Sequence, residues 1–273
     1  MTTVAAPITV APTAPPIIRQ AGWAVTDSLV MAKRNLLVWS RVPAYIVFTI
    51  VQPVMFVLMF RYVFGGAIHV PVKGGYVSYL MPGIIGQTGA FASMGTAISL
   101  AQEVQKGAID RFRSMPIARS AVLAGRLIAD VVRMLITIVI VVGIGYAVGF
   151  RFQNGVGGAV CMVLLATGFG LAVCCISAFT GLAIRDEESV QAFGLIWLFP
   201  LTFVSSAFVP IQTMPSWLQV FARNQPITLI INAMRSFALG GPVAHALWTS
   251  LASIAGVLIF FLPLAVRAYR RTS

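Results

Sequence analysis

The side chains of this sequence that could do acid–base, nucleophilic or metal chemistry are few, and their positions exclude most of it. The carboxylates are Asp27, Glu103, Asp110, Asp130, Asp186, Glu187 and Glu188, and the histidines are His69 and His245. Cys161, Cys174 and Cys175 fall in one apolar run without metal-ligand spacing and read as small packing residues. No metal site is expected. A phosphate-binding loop requires Gly-Lys, so that backbone N–H groups and the lysine together cradle phosphate. Here Lys33, Lys73 and Lys106 follow Ala32, Val72 and Gln105. The chain is therefore expected to hold no ATP and no other cofactor, and not to be an enzyme by itself.

The elements that position these groups are apolar runs at 44–64, 79–101, 132–150, 157–181, 192–210 and 244–266. Each is near or above the roughly 18–20 residues with which a helix crosses about 30 Å of hydrocarbon. With 59% hydrophobic and 10% charged residues in 273, the chain is too apolar for a soluble domain. The expected class is all-α: a polytopic membrane protein with six transmembrane helices, an N-terminal interfacial helix and a short extracellular helical lid.

Basic residues set the orientation. Arg19, Lys33, Arg34 and Arg41 precede the first run, and Lys106, Arg111, Arg113, Arg119, Arg126 and Arg133 lie between the second and third. Arg185 separates the fourth from the fifth, and Arg267, Arg270 and Arg271 close the chain. The other side holds only Arg61, Lys73, Arg151, Arg223 and Arg235. The positive-inside rule then puts both termini in the cytoplasm of a multi-pass plasma-membrane protein. The net charge of +12 is flank charge facing anionic lipid headgroups, and no nucleic-acid partner is expected. All the carboxylates fall on the cytoplasmic side, and no run has a carboxylate or histidine at its middle. Proton- or sodium-coupled transport and intramembrane acid–base catalysis both need such groups.

Residues 1–17 read as a disordered cytoplasmic tail, because Pro7, Pro12, Pro15 and Pro16 interrupt the apolar core that a secretory signal needs. Residues 18–273 read as one transmembrane domain. It opens with an interfacial helix over 18–41, with Val25, Leu29, Ala32, Leu36 and Trp39 in one stripe and Asp27, Arg34 and Arg41 opposite. Small residues form two stripes suited to close helix packing. One is Gly83, Gly86, Ala90, Ser93 and Ala97; the other is Thr167, Gly170, Cys174, Ser177 and Gly181. The segment from 211 to 242 carries Pro215, Trp217, Asn224, Pro226 and Arg235. It predicts one or two short helices that dip into the outer interface as a lid, since irregular backbone at that depth must be covered by protein.

The connection from 101 to 134 leaves the second run through Glu103 and turns near Gly107. An amphipathic stretch over 108–115 follows, stopped by Pro116. Arg126 and Arg133 each lie one turn from Asp130 and are expected to hold it in local ion pairs. Composition alone makes this connection a solvated basic linker. Its order, Glu103, Gly107, Asp110-Arg111-Phe112-Arg113-Ser114-Met115-Pro116-Ile117, Arg119 and Gly125-Arg126, resembles the cytoplasmic loop of ABC type-2 exporter permeases, the daunorubicin-resistance branch in particular. Val148-Gly149-Phe150-Arg151-Phe152 agrees with that branch, as does the segment from Met214-Pro215-Ser216-Trp217-Leu218 through Asn224-Gln225-Pro226-Ile227 to Ala233-Met234-Arg235. Asp110 departs from the pattern, many relatives having Glu or a neutral residue there.

The resemblance implies a half-transporter. Two permeases, identical or paralogous, associate in the lipid bilayer with two copies of a cytoplasmic ABC ATPase, which uses ATP and Mg. It implies ATPase coupling through Glu103, Gly107, Asp110, Arg111, Phe112, Arg113, Met115 and Pro116. It implies a substrate path between permeases, for which Phe91, Met94, Phe193, Trp197, Phe203 and Phe208 are candidates. The expected cargo is a hydrophobic or amphipathic drug or lipid. A polysaccharide or cell-wall precursor, or a membrane scaffold without transport, are the alternatives.

Overall fold

Long apolar stretches with few internal breakers can satisfy their backbone only as helices in lipid, and helices are what form. The computed structural model describes residues 17–41, 43–68, 70, 72, 74–107 and 119–271, with no strand among them. The helices are α1 (Ile17–Arg41), α2 (Pro43–Met59), α3 (Gly75–Gln105), α4 (Arg119–Ala147), α5 (Gly155–Ile184), α6 (Glu187–Phe203), α7 (Ser216–Asn224), α8 (Pro226–Leu239) and α9 (Ala244–Arg271). A wider π turn, Phe60–Phe64, continues α2, and a 3-10 turn, Ile211–Thr213, precedes α7. Within these, Ala121–Ala147, Gly155–Ile184 and Ala244–Tyr269 are long and apolar enough to cross a membrane, while Thr49–Phe64 and Pro226–Leu239 are shorter apolar helices.

Helix α3 is the centre, touching α2, α4, α5, α6 and α8. The two small-residue stripes explain how. Ser177 Oγ on α5 donates to Ser93 Oγ on α3 at 2.9 Å, and Thr96 Oγ1 lies 3.8 Å from Cys174 Sγ. A Cβ on Gly181 would run into the backbone carbonyl of Ala97. The α3 stripe divides along its length, however. Its Gly86 faces Ile231 and Met234 of α8 rather than α5, and its Gly83 lies against the Ala207 carbonyl. One helix thus receives α5 at one end and α8 with the Ala207 backbone at the other.

Helix α1 packs along α4, with Ser28, Met31 and Ala32 buried. Gly125 makes this possible, since a Cβ there would sit 2.6 Å from the Ser28 carbonyl oxygen. Of the expected interfacial stripe, Ala32 enters this contact, while Val25 and Leu29 stay exposed together with Val30, Leu37 and Val38. The apolar surface of α1 wraps further around the helix than one protein contact needs, leaving a second face for lipid.

The fifth apolar run is the clearest departure. Helix α6 starts at Asp186, whose carboxylate accepts from the Ser189 N–H at 2.8 Å. Hydrogen bonds from the Ser189 hydroxyl and backbone hold this carboxyl below its usual range. The helix ends at Phe203, so residues 204–210 are irregular although the sequence is continuously apolar there. Pro210 cannot continue a helix, and Ser205 and Ser206 offer side-chain bonds that compete with one. Of the remaining expected runs, 79–101, 157–181 and 244–266 fall wholly within helices, 44–64 is completed by the π turn, and 132–150 outruns α4, which ends at Ala147.

Gly181→Val should lower the thermal unfolding midpoint of the detergent-solubilised chain, at a cost of about 1–3 kcal/mol. Gly256→Val on α9, where a Cβ meets no atom within 4 Å, is the matched control and should leave the midpoint unchanged.

Candidate functional site

At the end of the molecule where the basic residues collect, α1, α2, α3 and α4 enclose a chamber of about 460 Å³. Glu103 on α3 stands at its mouth between Arg126 of α4, at 3.5 Å, and Arg34 of α1, at 3.8 Å. Deeper along α4, Asp130 pairs with Arg133 at 2.7 Å and accepts from Thr96 Oγ1 at 2.6 Å. Arg133 also reaches the Ala92 carbonyl at 3.4 Å. The sequence expectation for Asp130 is therefore half right. Arg133 holds it, but Arg126 turns to Glu103 on the neighbouring helix, where a carboxylate without a local partner is available. The same end of α3 is tied to α6, since Gln102 donates to Glu187 at 2.7 Å and Gln105 to Asp186 at 3.4 Å. Gly107 closes α3 with φ +64, its N–H donating to the Val104 carbonyl at 3.1 Å. Asp110, Arg111, Phe112, Arg113, Met115 and Pro116 lie outside the described residues.

At the opposite end, α7 and α8 cover the irregular backbone after α6. Gln225 Nε2 donates to the Val204 carbonyl at 2.5 Å, and Thr228 Oγ1 accepts from the Ser206 N–H at 3.2 Å. Arg235 donates to the carbonyls of Ser206, at 2.9 Å, and Tyr79, at 3.1 Å, and stacks on the Tyr79 ring at 3.7 Å. Asn232 Oδ1 receives both Arg235, at 2.8 Å, and Ser206 Oγ, at 2.9 Å. Among the described residues no carboxylate pairs with Arg235; its charge is spread over carbonyl dipoles and an aromatic face. Pro215 caps α7, with Leu218 and Gln219 donating to its carbonyl, and Pro226 starts α8. Asn224 Nδ2 bonds back to Val220 at 2.9 Å, and Trp217 is exposed with Val220 and Phe221.

Between these ends runs a ladder of rings. Phe91 of α3 meets Phe199 edge-on at 6.4 Å between centroids, and Phe199 stacks on Phe203 at 4.4 Å. Phe203 lies 5.1 Å from Phe208, and Phe208 stacks on Phe60 of the α2 turn at 4.4 Å. Phe91 also lines the chamber, so the ladder begins where the chamber ends.

The structure thus joins three of the expected path residues, Phe91, Phe203 and Phe208. Phe208 is 3% exposed and belongs to the core rather than to an open surface. Met94 packs against Gly194, and Trp197 is partly buried against the core. Phe193 is 46% exposed on the free side of α6, together with Ile196 at 72% and Phe199 at 50%. Phe199 and Phe60 were not anticipated. The signal for Phe199 was its place one turn before Phe203.

The described residues are those of a helical membrane protein with a charged chamber at one end and an aromatic face beside it. Residues 26–239 match the family described as ABC-2 type transporter, and the chain belongs to that family. It is 32% identical over 247 residues to the daunorubicin resistance ABC transporter permease protein DrrB1 of Streptomyces coeruleorubidus, covering 90% of this chain and 87% of that one. It is 29% identical over 275 residues to the probable doxorubicin resistance ABC transporter permease protein DrrC of Mycobacterium tuberculosis, covering 100% and 99% respectively. A doxorubicin resistance ABC transporter permease protein DrrB of the same organism is 28% identical over 201 residues, covering 74% and 69%.

The buried pair at α4 should be asymmetric to mutation. Arg133→Leu leaves Asp130 charged without its cation and should cost about 3–5 kcal/mol. Arg133→Leu with Asp130→Leu should recover much of that loss, read as detergent-solution unfolding midpoints of the two variants.

Proposed function

We propose that this chain is the transmembrane subunit of an ATP-binding-cassette exporter that moves hydrophobic or amphipathic drugs or lipids out of the cell, powered by a separate ATPase. The observation that carries this reading is the aromatic face of α6 and α3 in a member of the ABC-2 type transporter family whose relatives are named for daunorubicin and doxorubicin resistance. Six spans, at 44–64, 79–101, 132–150, 157–181, 192–210 and 244–266, put both termini and the chamber in the cytoplasm and α7–α8 outside. Two permeases, identical or paralogous, face one another across the exposed side of α6, where Phe193, Ile196 and Phe199 await a partner. Cargo is recognised by apolar area and aromatic faces, which also hold a cationic drug.

Coupling follows from the ties at the end of α3. Two copies of the ATPase, with ATP and Mg, grip the loop beyond Gly107. Glu103, Gln102 and Gln105 connect the helix above that loop to α1, α4 and α6. ATPase closure that displaces the loop therefore moves several helices as one body.

Phe199→Ala and Phe203→Ala should each weaken efflux of bulky apolar compounds roughly tenfold, the scale of one lost aromatic contact area. Drug accumulation in cells with normal protein levels is the measurement, and unchanged accumulation in both variants removes the ladder from the path. Arg111→Glu should leave membrane insertion intact but abolish export and permease-stimulated ATP hydrolysis in the co-purified complex. If both persist, the loop is only a connector.

A further inference from the structure

The chamber has a basic lining. Among the described residues, Arg34, Lys106, Arg126 and Arg133 line it with the carboxylates Glu103 and Asp130. Both carboxylates are already engaged, so the lining has no unused anion for a cationic ligand. Two of its side chains also hold buried N–H groups without an acceptor: Nη1 of Arg126 and Nε1 of Trp39. Buried donors are ordinarily paired, and an orphan guanidinium N–H is among the costlier ones to leave open. A basic lining and unpaired donors call for the same missing group, an oxygen-rich anion.

The walls define the rest of the ligand. Along α3 the lining extends from Thr88 to Lys106, about 27 Å at the helical rise. Arg34, Glu103, Lys106 and Arg126 lie toward the mouth and Asp130 with Arg133 deeper, while Pro53 and Phe91 give the deep end an apolar wall beside Thr49, Gln52 and Thr88. The volume of about 460 Å³ suits a headgroup with the start of a chain, within the roughly 300–1,000 Å³ common for small-molecule sites. On α1, Leu37 and Val38 beside the mouth are exposed apolar residues, an edge suited to bilayer contact.

We infer that this chamber binds the phosphate headgroup of an anionic lipid from the inner leaflet, with Arg126 and Trp39 donating to phosphate oxygens and the acyl chain lying toward Phe91. Only the choice of leaflet rests on the orientation proposed above. Arg126 shifts from its long contact with Glu103 to share the phosphate, and Lys106 supplies charge at the mouth.

The test uses the full-length chain purified in a neutral detergent and exposed to equal amounts of phosphatidylglycerol and phosphatidylcholine with identical acyl chains. Native mass spectrometry counts the lipids retained. The wild-type chain should retain phosphatidylglycerol roughly tenfold over phosphatidylcholine, the scale of a hydrogen bond to a charged group. Arg126→Gln with Lys106→Gln should bring the ratio close to one. Trp39→Phe, which keeps an aromatic ring and every charge but removes the N–H donor, should lower it severalfold and serves if the double variant does not fold. A wild-type ratio near one overturns the proposal, as does a ratio that Trp39→Phe leaves untouched. Millimolar glycerol 3-phosphate should not displace the retained lipid; displacement would make the site one for a soluble phosphate and overturn the lipid assignment. Transport is not read in this experiment, so its failure leaves the export function standing.

Discussion

A peptide group without water must find another partner, and the end of this molecule opposite the basic cluster is organised around that requirement. Helix α6 stops at Phe203 inside a continuous apolar run, which releases carbonyls and N–H groups where neither hydrocarbon nor a helical neighbour can serve them. Helix α8 and the residue before it answer group by group. Gln225 takes the Val204 carbonyl, Thr228 the Ser206 N–H, and Arg235 the Ser206 carbonyl, while Tyr76 on α3 donates to Phe208 at 3.0 Å. Arg235 is the member with reach, because a planar guanidinium can serve Ser206 and Tyr79 together and still lie flat on a ring. The break in α6 and the buried arginine are one feature seen from two sides. Without the break there is no carbonyl for Arg235, and without Arg235 the break has no place in a membrane.

The ladder of rings inherits its shape from this arrangement. If α6 continued as a helix past Phe203, Phe208 would advance around the axis with its neighbours. The irregular backbone instead folds it inward, where it stacks on Phe60 and supports Phe203 from below. Phe199, exposed on α6, is thus backed by Phe203 and, behind it, by the buried Phe208. At the other end the charged pairs do comparable work with polar groups. Glu103 and Asp130 fix α1, α3 and α4 around a space that would otherwise close.

Much of this was legible in the sequence. Arg235 was visibly out of place among apolar neighbours, and the short helices expected of its segment are α7 and α8. The small stripes of α3 and α5 had to meet something, and at Ser93–Ser177 and Ala97–Gly181 they meet each other. What stayed hidden shares one physical cause: in a membrane protein, lipid-facing and core-facing positions are both apolar, so hydrophobic periodicity loses the contrast by which it orients a helix in water. The face by which α1 packs on α4, at Ser28 and Met31, was not read for that reason. The end of α6 was hidden by the same uniformity. Arg126 misled differently, because local spacing offered Asp130 while a second carboxylate, Glu103, waited on a helix that sequence distance places far away. The rings Phe199 and Phe60 could be ranked only once α2 and α6 were known to converge on Phe208.

Helix α3 is held at both ends by unlike means: near Tyr79 by a cation on its ring and carbonyl, near Glu103 by ion pairs to two other helices. Between those points lie about 36 Å of helix at the standard rise. Such a rod is a lever whose fulcrum is the stiffer hold, and the Tyr79 clamp is the more buried of the two. At that length each degree of tilt about Tyr79 carries the Glu103 end through about 0.6 Å. A rotation too small to disturb that clamp is thus large enough at the charged end to exchange one ion-pair partner for another. The fold converts ångström-scale displacement on the basic side into nearly pure rotation at the far side, where the rings sit close to the pivot and move least.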